Sequence, residues 1–124
     1  MTMDSERKLF FDQFKKRLLI YCKHVVSFVD SIPRSDYSGQ IIIKQLLRSA
    51  TSIAANYIEA QASPSKRDFT NFLSISLKSA NETIFWFDLL IECNKGNQQI
   101  IVTLRNETIE FANYFGSSVR KLRS

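Results

Sequence analysis

The sequence predicts an all-α protein, an up-down-up-down antiparallel four-helix bundle, and three observations carry that expectation. Apolar residues recur at spacings of three and four along nearly all of the 124 residues. Breakers fall at three places only: Ile32-Pro33-Arg34-Ser35, Ala62-Ser63-Pro64-Ser65 and Lys95-Gly96-Asn97. With 3 Gly and 2 Pro, the chain also lacks the turn residues that sandwiches and barrels need. The result is one domain over residues 1–124, with helices at about 5–32, 37–62, 65–95 and 98–122, each about 40 Å long.

Each segment carries its own apolar stripe. The first reads Phe11, Phe14, Leu18, Cys22, Val25, Val29 and Ile32, with Asp4 or Ser5 as N-cap. In the second the stripe is Ile43, Leu46, Leu47, Ala50, Ile53, Ala54 and Tyr57. The third uses Phe69, Phe72, Leu73, Ala80, Thr83, Ile84, Phe87, Leu90 and Ile91, with Pro64 in the first turn after Ser63 and Gly96 as the stop. The fourth uses Ile100, Ile101, Leu104, Phe111, Phe115, Val119 and Leu122.

Two features exceed what a lone bundle needs. On the second helix Arg48, Ser52, Asn56 and Glu59 fall within an arc of about 80° opposite the core stripe, with Ser49 and Ala55 beside them. Small and hydrogen-bonding side chains mixed in this way suit a close helix contact. On the third helix Phe85 and Leu89 point away from the core stripe while Ile75 and Trp86 flank it, so a second face is apolar. A homo-oligomer supplies the partner most simply.

No catalytic, cofactor or metal site is expected. His24 is the only histidine, with no carboxylate three or four residues on, and no Glu-x-x-His pair exists for a di-iron bundle. Glycines at 39, 96 and 116 cannot build a phosphate loop or a nucleophile elbow. Glu107 and Glu110 read as surface charges. Cys22 and Cys93 read as reduced thiols, since the topology sets them about 15 Å apart along the axis. The N-terminus has no unbroken apolar core for export and no segment is long enough to span a bilayer, so a cytoplasmic location without membrane contact is expected.

The net charge is +5, and its excess lies in the first and last segments: residues 1–35 hold 7 basic and 4 acidic side chains, 36–96 hold 6 and 6, and 97–124 hold 4 and 2. Arg7 and Lys8 would lie beside Arg120, Lys121 and Arg123, with Lys15, Lys16 and Arg17 continuing the patch along the first helix. Such a face would neutralise phosphates with little sequence preference, no aromatic residues being interleaved for base stacking. The alternative is a solvated face whose C-terminal cations only favour the helix dipole.

The run Arg48-Ser49-Ala50-Thr51-Ser52-Ile53-Ala54-Ala55-Asn56-Tyr57-Ile58-Glu59, followed by Ser65, Asp68-Phe69, Phe72-Leu73, Ile75, Ser79 and Glu82, resembles the four-helix-bundle family of 23S rRNA intervening-sequence proteins. Ala60, Ser76 and Lys78 replace the Gly, Ala and Gly of that pattern, and Tyr57 stands one residue before its aliphatic position. The resemblance implies a bacterial protein without established enzymatic activity that assembles as a ring-shaped homopentamer. A related branch, the accessory variability determinant of diversity-generating retroelements, is linked with a basic surface that binds nucleic acid and a reverse transcriptase. By position the motif residues are Arg48, Ser52, Asn56, Glu59 and Glu82, which join Phe85, Trp86 and Leu89 as the expected oligomer interface. The expected activity is RNA or DNA binding by a non-enzymatic oligomer. The alternative is a scaffold that docks a partner protein, for example a reverse transcriptase, without touching nucleic acid.

Overall fold

Four stripes of buried side chains meet along one axis in a computed structural model that describes residues 3–124. The helices are α1 (Met3–Asp30), α2 (Tyr37–Gln61), α3 (Lys66–Glu92) and α4 (Gln98–Arg123), forming an all-α, up-down-up-down antiparallel bundle. The start of α1, the end of α4 and the 62–65 connection share one end of the bundle, the terminal end. The 31–36 and 93–97 connections share the other, the two-loop end. No described helix is long and apolar enough to cross a membrane.

Helix boundaries follow local hydrogen bonding and correct three sequence expectations. Asp4 and Ser5 lie inside the first turn of α1, so neither caps it; Asp4 and Glu6 there complement the helix dipole. The α3 cap is Ser65 rather than Ser63: its Oγ accepts the Asp68 amide at 3.1 Å and donates to Asp68 Oδ2 at 3.0 Å, leaving Pro64 outside the helix. Nor does Gly96 stop α3. Asn94, at φ +52°, takes the left-handed position; its amide donates to Ile91 O and the Lys95 amide to Leu90 O, each at 3.0 Å, which closes a Schellman motif. Gly96, at φ +80°, then turns the chain toward α4, where Asn97 caps by accepting the Ile100 amide at 3.0 Å.

Side-chain size sets the helix spacing. α2 and α3 approach closely because Ser49, Ser52, Ser76 and Ser79 line their seam, while α1 stands further from α4. The seam is polar and satisfied. Ser52 and Ser79 hydroxyls are 2.8 Å apart, Ser49 and Thr83 hydroxyls are 2.8 Å apart, and Ser76 donates to Ile53 O at 3.0 Å. Among the described residues no buried side-chain oxygen or nitrogen lacks a partner.

Larger residues join α1 to the rest, two of them unanticipated by the sequence stripe. Tyr21 and Phe28 are fully buried, whereas the expected Phe11, Phe14, Cys22 and Val29 are only partly covered. Tyr21 Oη lies 2.6 Å from Thr108 Oγ1; since Thr108 donates to Leu104 O at 2.7 Å, Tyr21 is the donor. Burial pushes the Tyr21 phenol well above the tyrosine range, which keeps that proton in place. The expected α4 stripe holds except at Ile100, which is exposed. Cys22 and Cys93 are unbridged.

Candidate nucleic-acid interface

Four cations are held by carboxylates and six gather at one end of the bundle, while Lys15, Lys16, Lys23, Arg34, Lys44 and Lys78 are exposed over the rest of the surface and make no ion pair among the described residues. Arg17, Arg48, Lys95 and Arg105 are ion-paired. Lys8, Lys66, Arg67, Arg120, Lys121 and Arg123 make no ion pair among the described residues, and all six belong to the terminal end: the start of α1, the start of α3 and the end of α4. Lys66 and Arg67 were hidden from the segment-by-segment charge tally because residues 36–96 are neutral as a whole. Folding brings them to Arg123, with which they line one crevice together with Thr70, Asn71 and Leu122.

The expected extension of this patch along α1 divides. Arg17 faces α4, where Glu107 accepts from Nε at 3.2 Å, Glu110 takes the other side of the guanidinium, and the Phe111 ring lies 4.8 Å beneath it. Burial draws the Arg17 pKa down, but the bonds to Glu110 and Glu107 outweigh it and the net shift is upward. Two carboxylates already balance this charge. Lys15 and Lys16 are exposed but point about 160° and 100° round the helix from Arg17, so they do not continue a surface shared with α4.

Three depressions join across the terminal end through shared residues. Between α1 and α2, Arg7, Lys8, Asp12 and Gln61 surround Phe11. The central depression, about 680 Å³, shares Arg7, Phe11 and Gln61 and is walled by Phe10, Tyr57, Phe69 and Tyr114, with Glu6 on its rim. Leu122 links it to the crevice of Lys66, Arg67 and Arg123. The sequence expectation that no aromatic residues accompany the basic patch is therefore corrected: rings from all four helices converge there, which no spacing within one helix reveals. Burial pushes the Tyr57 and Tyr114 phenols upward, and both remain protonated at neutral pH.

The expected interface residues fall into two places. Arg48 pairs with Glu82, whose Oε2 also accepts Trp86 Nε1 at 2.9 Å, and Asn56 Nδ2 donates to Ser52 Oγ at 3.0 Å. The Arg48–Glu82 and Ser52–Ser79 contacts tie α2 to α3 within the chain, so Ser52 does not lie opposite the core as the wheel placed it. Glu59 is exposed. Outside the seam, Phe85 is 54% exposed and meets Trp86 edge-on at 4.9 Å, while Trp86 and Leu89 are half-buried. His24 is exposed and lines an α1–α4 groove with Phe28 and Leu104. No three described His, Cys, Asp or Glu side chains gather as a metal site.

Residues 15–117, which contain the whole Arg48–Glu82 seam, match the model of the 23S rRNA-intervening sequence proteins. The chain belongs to that family. Its fold is similar to the crystal structure of a protein of unknown function from the S23 ribosomal protein family of Bacteroides thetaiotaomicron, at 32% identity and a TM-score of 0.76, covering 85% of this chain and 96% of that one. No curated protein matches the chain. In this chain the seam residues fasten α2 to α3, and two of the departures noted in the sequence are readily accommodated. Lys78 is exposed, where a side chain costs no packing, and Ala60 is buried with room for its methyl group. Arg7, Lys8, Phe10, Phe11, Leu122 and Arg123, which line much of the terminal-end trough, lie outside the matched span.

Proposed function

We propose that this member of the 23S rRNA-intervening sequence family is a non-enzymatic, self-associating cytoplasmic bundle that binds RNA or DNA through its terminal end. The observation that carries this reading is the gathering of six cations that make no ion pair among the described residues at one end of the bundle, from the start of α1, the start of α3 and the end of α4. Backbone phosphates fit such a surface, and neutralising them confers little sequence preference. If five phosphates are engaged on duplex DNA, the logarithm of the affinity falls against log salt with a slope of about −4 to −5. Binding that is absent, or indifferent to salt, removes the proposal.

Two separate apolar faces support self-association. Leu19 (65% exposed) and Val26 (42%) sit seven apart on α1, on either side of Cys22, which lies against Ala50 of α2. Phe85, with the half-buried Trp86 and Leu89 beside it, forms the other face on α3. Pairing of these unlike faces is a head-to-tail contact, which closes into a ring when its rotation allows, and the pentamer is the closure that the family resemblance implies. The exposed Phe85–Trp86 pair also favours a second reading, docking of a partner protein. Nuclease treatment of a pull-down separates the two, because it releases only partners bridged by nucleic acid.

A further inference from the structure

We propose that the aromatic floor of the terminal-end trough receives an unstacked nucleobase, so that the protein prefers single-stranded or unpaired nucleic acid to duplex. The inference rests on the reading that the terminal end binds nucleic acid, and it specifies which form. The trough runs from cations through aromatic rings to cations: Arg7 and Lys8 at one side, Phe10 and Tyr114 between, Lys66 and Arg123 at the other. A single strand presents phosphate, base and phosphate in that alternation, whereas a duplex keeps its bases stacked inside and offers phosphates alone.

The floor is rigid and its lip is open. Phe10, 49% exposed, stacks on Phe14 at 5.9 Å and lies 6.1 Å from Tyr114. Phe14 in turn meets Tyr57 at 4.9 Å and Tyr114 at 4.7 Å, so the rings behind the lip support one another. Glu6 and Gln61 on the rim supply an acceptor and an amide for the edge of a base. The volume, about 680 Å³, falls in the range of small-ligand sites, about 300–1,000 Å³.

Fluorescence anisotropy with three labelled probes of equal length tests this: a single strand, the same strand annealed to its complement, and a strand whose central nucleotides are abasic. Abasic sugars keep the phosphates and remove the stacking. The single strand is expected to bind about tenfold more tightly than the other two, and Phe10→Ala to bring it to the abasic level, while Phe10→Trp restores it. Because Phe10 is half exposed, the fold should survive both changes, which circular dichroism checks. Equal affinity for all three probes, unmoved by Phe10→Ala but weakened by Lys66→Glu with Arg67→Glu, overturns the stacking inference and leaves the basic end intact. Failure of every probe to bind overturns both.

Discussion

Lys95 Nζ donates to Asp36 Oδ1 at 2.7 Å, and the same oxygen accepts the Gly39 amide at 3.1 Å, so one carboxylate caps α2 and ties the two connections of the two-loop end together. The bond from Lys95, with the Gly39 amide behind it, holds the Asp36 carboxyl below its ordinary range. A depressed folded-state pKa means that its stabilisation is complete above the ordinary carboxylate range and disappears as pH falls through the lowered value. Lys95→Met is therefore expected to lower Tm at neutral pH and to flatten the fall in Tm between about pH 5 and pH 2. Superimposable pH profiles for the two proteins would show that the contact contributes nothing.

Gly96 is required twice over. It adopts φ +80°, and a Cβ there would stand 2.9 Å from Phe28 Cζ and 3.0 Å from Ile32 Cδ1. Gly96→Ala should cost about 2 kcal/mol in urea denaturation. Asn94→Gly, at the other left-handed residue, should be neutral or stabilising by up to about 1 kcal/mol, since it removes the Cβ penalty.

The α2–α3 seam depends on small volume more than on any one hydrogen bond. Thr83→Val keeps the shape and removes a hydroxyl whose neighbour Ser49 still donates to Leu46 O at 3.2 Å, so its cost should be about 1 kcal/mol. Ser76→Leu forces the helices apart at a fully buried position and should cost about 3 kcal/mol. A reversed order in denaturation midpoints would mean that hydrogen bonding, not close approach, fastens the pair.

Period and punctuation made the four helices legible, and most of their cores with them. Leu18, Val25, Leu46, Ile53, Phe87 and Phe115 are buried where the 3.6-residue repeat places them. Tyr21 and Phe28 escaped because the stripe traced through Cys22 and Val29 turns toward α2, while α1 also leans its larger side chains toward α4. The buried hydroxyls of Ser49, Ser76, Thr83 and Thr108 have no apolar signal at all, and only packing shows that they are inside. The candidate site was half legible: the end-of-chain cations could be counted, but the Lys66–Arg67 contribution and the aromatic floor arise from helices distant in sequence.

Head-to-tail association through unlike faces has a signature that a symmetric dimer lacks. Leu19→Glu and Phe85→Glu should each abolish assembly alone, since every subunit then carries one damaged face. Mixed together, the two variants still hold one intact pair of faces and should form a heterodimer by light scattering on a sizing column. Persistence of the full assembly in either single variant would place the contact elsewhere.

The sharpest test of the terminal end compares two charge reversals of equal size in a nucleic-acid binding titration over salt. Lys66→Glu with Arg67→Glu should weaken binding and make the salt slope shallower by about 2, whereas Lys15→Glu with Lys16→Glu, on the flank of α1, should leave the slope unchanged within about 0.5. The opposite pattern, or equal effects from both pairs, would contradict binding through the terminal end.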